Sequence, residues 1–264
     1  MKRLVAMSLV VPALVSGCAL FSSFLDSAMN SAGSKAGSMI GDRMGSAIAG
    51  SATRYYMTPE LTQAYAMGLF SMLYYYGGYT WQGKAYKPGE FTVWEGTDLS
   101  QGERFEKAFL KKEADGKEWW RVRSSKRDGS EEAIVEALFS VPDKSGVQQI
   151  VRMRAKFPGQ DAVAEVPITE ENKGSWTLRP SARLTEDSLK GATVGVETVK
   201  VPAGSFKARH VRYAHGTGSV DWWLSDEVPG GVVKYSVSSE DDGKVETGVM
   251  QLSKIGAAAK MLGK

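Results

Sequence analysis

One cysteine and two histidines are all that this 264-residue chain offers for thiol or imidazole chemistry: Cys18, His210 and His215. A thiol can attack a carbonyl, ligate a metal, form a disulfide or accept an acyl group. With a single cysteine, no intramolecular disulfide, no C-x-x-C pair and no multi-cysteine zinc site can form. The histidines stand five apart, His210 in a strand-like run and His215 ahead of Gly216-Thr217-Gly218. That spacing suits neither one helix face nor the H-E-x-x-H zinc pattern, so both read as structural. Gly78 to Lys84 has the spacing of a phosphate loop, but Ala85 stands where a magnesium-binding hydroxyl belongs. Glu131-Glu132 and Glu240-Asp241-Asp242 lack calcium-loop spacing and read as solvated hairpin tips. Lys111-Lys112, Arg121, Arg123 and Lys126-Arg127 make a modest basic strip, suited to an anionic surface or simply to one wet sheet face. A catalytic reading would need the fold to gather Glu, Asp and His210 from scattered positions. The expectation is a chain that is not an enzyme, with no metal and no cofactor.

The acyl-acceptor role of the thiol has a context. Lys2 and Arg3 precede an apolar stretch from Leu4 to Val15, interrupted by Ser8 and Pro12, and Val15-Ser16-Gly17 leads into Cys18. A charged start, a short apolar run and small residues before a cleavage point describe a secretory signal. The 12 residues of the apolar run fall short of the ~20 that a spanning helix needs. The segment resembles the lipobox of bacterial lipoproteins. The resemblance implies that residues 1–17 are removed, that Cys18 is diacylated on sulfur, and that the new amino terminus is acylated as well. Two or more acyl chains give a durable anchor where one gives a marginal one. In lipoproteins of enteric type, Asp after the cysteine favours inner-membrane retention. Ala19 lacks that signal, which implies the outer membrane and a periplasm-facing chain.

Without residues 1–17 the chain keeps 247 residues, enough for one large or two small domains. The precursor carries a net charge of +3, and loss of Lys2 and Arg3 brings the remainder to about +1, so nothing argues for nucleic acid.

After the anchor, Gly33, Gly37, Gly41, Gly45 and Ala49 recur at a spacing of four. Such residues share one face of a helix. Each glycine costs roughly 1 kcal/mol against alanine in a helix interior, so a helix that keeps four gains by close approach to a neighbour. Lys35, Asp42 and Arg43 argue for packing on protein rather than in lipid. The pattern resembles the glycine zippers of bacterial envelope lipoproteins, which mediate helix association. A flexible linker is the alternative. Thr58-Pro59-Glu60 opens a second helix over the apolar run Leu61 to Tyr76, which is expected to pack on the first helix or to cover a sheet.

From Phe91 onward the period changes to two. Lys117 to Arg123 alternates Trp120 and Val122 with Arg121 and Arg123, and Val151 to Phe157 alternates for seven residues. Asp115-Gly116, Asp128-Gly129, Asp143 to Gly146, Asn172 to Gly174 and Asp242-Gly243 supply turns. About ten antiparallel strands are expected between 91 and 254, in blocks Phe91–Phe157 and Val194–Lys254, with one face wet. The fold class is α+β: a signal peptide (1–17), an acylated helical glycine-zipper region (18–80), and a large curved antiparallel β-sheet or half-barrel (81–264).

Val201-Pro202-Ala203-Gly204-Ser205-Phe206, Trp222-Trp223-Leu224-Ser225 and Pro229-Gly230-Gly231-Val232-Val233-Lys234 resemble the second half of uncharacterised bacterial envelope β-proteins, similar to LolA/LolB-type lipoprotein carriers. Such folds close a curved sheet with helices over an apolar cavity. The resemblance implies binding of a lipid or other hydrophobic ligand, with Trp81, Trp94, Trp120, Trp176 and Trp223 as candidate liners. The alternative is a structural lipoprotein whose zipper helix mediates homo-oligomerisation or docking to an envelope partner.

Overall fold

In the computed structural model, the residues described are 66, 79–80, 83–98, 102–130, 132–170, 177–178, 182–183, 186–215, 218–241 and 244–263. Cys18, Gly33, Gly37, Gly41, Gly45, Ala49, Trp81 and Trp176 lie outside them, as does the boundary between helical and β regions. The elements in chain order are β1 (Tyr79–Thr80), β2 (Phe91–Asp98), β3 (Glu103–Lys112), β4 (Glu118–Lys126), β5 (Ala133–Phe139), β6 (Gln148–Lys156), β7 (Ala164–Val166), β8 (Thr177–Leu178) and β9 (Ala182–Arg183), then α1 (Glu186–Ala192), β10 (Thr193–Val201), β11 (Gly204–His215), β12 (Gly218–Leu224), β13 (Val232–Asp241) and β14 (Lys244–Gly256).

One antiparallel sheet holds most of them, in the order β10-β11-β12-β13-β14-β2-β3-β4-β5-β6-β7, with β8 beside β7 on the outer edge of β6. β1 and β9 form a separate parallel pair. The two sequence blocks are each a meander of neighbours. They become one sheet because the last strand pairs with the first: Gly256 faces Phe91 and Leu252 faces Trp94 across β14 and β2. The sheet is curved enough for the turn between β10 and β11 to reach β14, where the Ala203 N–H donates to the Leu252 carbonyl at 3.2 Å. Where about ten strands were expected, the described residues form ten long strands plus the short β7, β8 and β9 in the connection.

The turns follow from their aspartates. Asp115, Asp128 and Asp143 each accept a backbone N–H two residues on, from Lys117, Ser130 and Ser145. These bonds hold all three carboxyls below their usual range, the side-chain bonds to Lys117, Ser130 and Ser145 contributing most.

On β2 to β6 the alternation of side chains builds one apolar face. Val122, Val135, Ala137, Met153 and Ala155 are fully buried there with Phe139 and Ile150 beside them. Ala66 is helical and fully buried in the same cluster. It is the one described residue of the apolar run 61–76, which was expected to pack on the glycine helix or to cover a sheet. At the other end of the sheet, Leu189 of α1 packs on Val211 and Leu224.

The second face of these strands is wet only in part: its outer positions such as Arg152 are exposed, but its centre is covered, which corrects the expected polar-out reading there. Glu106, Arg121, Glu136 and Arg154 lie on it with relative exposures of 7, 6, 0 and 8%. Arg121 Nη2 sits 2.6 Å from Glu106 Oε1, and Arg154 Nη2 sits 2.6 Å from Glu136 Oε2. Residues 257–263 run across this ladder as a strap. Arg121 donates to the Lys260 carbonyl at 2.7 Å, Arg154 donates to the Leu262 carbonyl at 3.0 Å, and Leu262 N–H donates to Glu136 Oε1 at 2.9 Å. Ala259 and Met261 pack against the cluster of Ala108, Leu110 and Trp119. Buried charges are tolerated only when paired and hydrogen-bonded, and the strap completes that requirement with its backbone. β5 is therefore covered on both sides, which is why its burial is nearly continuous.

Candidate functional site

The apolar face of β2 to β6 is ordered in three rows by strand register. Trp94, Phe105, Ser124 and Ala133 are cross-strand neighbours in the first. Thr92, Lys107, Val122, Val135 and Ala155 form the second. Phe109, Trp120, Ala137, Met153 and Val166 form the third. Charge appears at the rims, where Lys126 pairs with Glu103 at 2.5 Å and Lys112 with Glu118 at 3.2 Å. Lys107 alone of the described cations on this face stands in the middle, flanked along β3 by Phe105 and Phe109.

The surroundings of Lys107 are aromatic. Its ammonium lies 5.6 Å from the Trp120 ring centre and 6.0 Å from that of Tyr86. Trp120 stacks on Phe109 at 4.7 Å and meets Tyr86 edge-on at 5.5 Å. Burial lowers the Lys107 pKa to about 8. Beside it, the Tyr86 hydroxyl and Thr92 Oγ1 share a hydrogen bond of 2.5 Å. Burial pushes the Tyr86 phenol up.

Tyr86 is held by the loop between β12 and β13. Gly230 has φ +76°, and a Cβ there would lie 3.0 Å from the Tyr86 hydroxyl. Lys84 bridges Pro229, and Gly230 N–H donates to the Lys84 carbonyl at 2.9 Å. A Cβ on Gly83 would lie 2.3 Å from the Gly231 Cα, so the two backbones touch. The Pro-Gly-Gly run is thus a contact surface as well as a turn. Gly83 and Lys84, which end the phosphate-loop spacing, take part in this backbone contact; Gly78 lies outside the described residues.

A second cluster surrounds His210. Its Nε2 is 2.5 Å from Asp221 Oδ1, and its Nδ1 is 3.7 Å from Glu197 Oε1. Arg212 Nε donates to the same Asp221 oxygen at 2.8 Å, and Trp223 Nε1 donates to Glu197 at 2.7 Å. His210 stacks on Trp223 at 4.4 Å, and Lys234 lies 4.5 Å from that ring. The fold does gather Glu, Asp and His210. One imidazole nitrogen is hydrogen-bonded to Asp221, and the other faces Glu197 beyond hydrogen-bond distance. Among the described residues, no group of three or more His, Cys, Asp or Glu could hold a metal ion. His215 ends β11 opposite Gly218.

Of the tryptophans proposed as liners, Trp94 is buried on the apolar face and donates through Nε1 to the Val232 carbonyl at 3.2 Å. Trp120 is partly buried on the same face. Trp222 and Trp223 point to opposite sides of β12. Trp223 belongs to the register row of His210 and Lys234, whereas Trp222 stands in the row of Val211 and Tyr235 and stacks on Tyr235 at 5.4 Å. The basic strip dissolves into pairs: Lys111 with Glu113, Arg121 with Glu106, Arg123 with Glu132 and Arg127 with Glu95. Sequence reasoning missed Lys107, although in a period-two strand it shares its face with the residues two positions away. Its i±2 neighbours Phe105 and Phe109 were the available signal.

No family model and no curated protein matches the chain. Among solved structures, it is similar to a Bacteroides fragilis protein with a YmcC-like fold, described as exported, at 12% identity and a TM-score of 0.33. That match covers 66% of this chain and 98% of the other.

Proposed function

We propose that this chain is a lipoprotein of the bacterial envelope, anchored through Cys18, which binds a lipid or other hydrophobic ligand without catalysis. The observation that carries the ligand reading is the three-row apolar face of β2 to β6, with the helical residue Ala66 buried upon it. A sheet face opposed by a helix is where an acyl chain would lie, and such sites are mostly apolar with a few placed polar groups. Trp94 and Trp120 would line it. The anchor rests on the run Val15-Ser16-Gly17-Cys18, and the outer membrane follows from Ala19 by the lipoprotein resemblance.

Native mass spectrometry of the Cys18→Ser protein tests the ligand. A copurified lipid is the expected result. A clean apo mass together with no uptake of a fluorescent fatty acid would overturn the reading.

The four-residue spacing of Gly33, Gly37, Gly41 and Gly45 favours a second role in assembly, with the helix docking to itself or to an envelope partner. Gly37→Leu with Gly41→Leu should then abolish cross-linked oligomers while the sheet stays folded. Unchanged cross-linking would remove this role.

A further inference from the structure

We propose that the outer edge of β10 is a docking surface for a second copy of this chain, the two β10 strands pairing antiparallel about Val196. The inference is independent of the ligand reading, and it uses a different surface from the glycine-spaced helix.

Among the described strands, β10 is the end strand of the large sheet and pairs with β11 alone. Such a strand leaves alternate N–H and C=O groups pointing away from its neighbour. Its side chains on that margin are apolar. Val194 and Val196 are each 58% exposed, and they are two of the six large hydrophobic residues that stand exposed among the described residues. Thr198 is exposed beside them. Sheet edges are ordinarily guarded by charge, by proline or by shortness. β10 is nine residues long, and neither a charge nor a proline falls between Thr193 and Val196. The Glu197 carboxylate is engaged within its own sheet, where Trp223 Nε1 donates to it at 2.7 Å. The register of β10 against β11 is regular from Gly195 to Val201, and its one shift, between Thr193 and Gly195, lies outside the proposed centre.

The strand is complementary to itself. Antiparallel pairing about Val196 sets Val196 against its own copy and Val194 against Thr198. Alternation puts these residues on one side of the new pair, so the exposed valines of both copies cover one another. No like charges meet: Glu197 stands opposite Gly195, and Lys200 opposite Ala192 at the end of α1. A centre one residue later would set two Glu197 carboxylates face to face, which is unfavourable. One strand pair is a small interface beside those of stable complexes, so the dimer should form and dissociate with concentration.

The test uses the Cys18→Ser protein, which has no cysteine left. In sedimentation equilibrium its mass should rise from monomer toward dimer with concentration. Val196→Lys sets two ammonium groups face to face and should hold the protein monomeric throughout, with its urea midpoint unchanged because position 196 is exposed. Residues directly opposite on antiparallel strands have Cα atoms at disulfide spacing. Val196→Cys should therefore form an interchain disulfide about tenfold faster, or more, than Val245→Cys, whose position on β14 is 63% exposed. A monomer at every concentration would overturn the proposal. So would a dimer that survives Val196→Lys, because its contact then lies elsewhere, on the glycine-spaced helix or another surface. Disulfide formation no faster at position 196 than at position 245 would overturn it as well. The sedimentation of the Cys18→Ser protein needs no variant at position 196, so misfolding of a variant does not shield the proposal.

Discussion

Glu136 and Arg154 face each other across β5 and β6, with Arg154 Nε and Nη2 both donating to one carboxylate oxygen at 2.8 and 2.6 Å. Glu136 has no exposed surface, and its other oxygen accepts the Leu262 N–H. A charge so placed is stable only while each partner remains.

Removing one partner should therefore cost more than removing both. Glu136→Leu leaves Arg154 buried without its carboxylate, and a loss of about 3–5 kcal/mol is expected. Glu136→Leu with Arg154→Met should recover part of that loss. Urea unfolding of the two singles and the double checks this. A double as unstable as the sum of the singles would contradict it.

The strap acts through its backbone. Leu262→Pro deletes the N–H that Glu136 accepts and should cost about 1–3 kcal/mol. Leu262→Ala keeps that N–H and should cost less. The order of the two urea midpoints decides the matter.

Gly83 and Gly231 meet backbone to backbone. Gly83→Ala places a methyl 2.3 Å from the Gly231 Cα, and a loss of about 1–3 kcal/mol is expected from overpacking. A Cβ at Gly191 meets nothing within 4 Å, so Gly191→Ala serves as the neutral comparison. Thermal melts of both variants give the contrast.

Stability should also depend on pH through Lys107. Its proton leaves near pH 8 in the folded protein and near 10.5 in the unfolded chain. Between those values the unfolded chain holds more protons, so stability rises with pH. Burial pushes the Tyr86 and Tyr235 phenols up. The unfolded chain loses those protons first, above about pH 10, and stability then falls. Urea midpoints from pH 7 to 9.5 should rise more in the unsubstituted protein than in Lys107→Met.

The strands and turns were legible because their causes are local. Trp120 and Val122 alternate with Arg121 within a single strand, and Asp115, Asp128 and Asp143 bond to backbone only two residues away. The second face was not legible. Alternating Glu106, Arg121, Glu136 and Arg154 read as wet, because a strand's own sequence cannot tell solvent from a paired charge beneath a distant segment. The strap that makes the difference is 139 residues from Arg121 and 108 from Arg154. The Gly83–Gly231 contact and the gathering of Glu197 and Asp221 around His210 are likewise products of tertiary pairing. Trp222 and Trp223 could be separated only by register, which placed one beside Tyr235 and the other beside His210.

The envelope-lipoprotein reading is tested most directly by growing cells that express the full chain with an alkyne analogue of palmitate and measuring label on the purified protein. The account predicts label on the unsubstituted chain and none on Cys18→Ser. An unlabelled chain, or equal label on the serine variant, would contradict it.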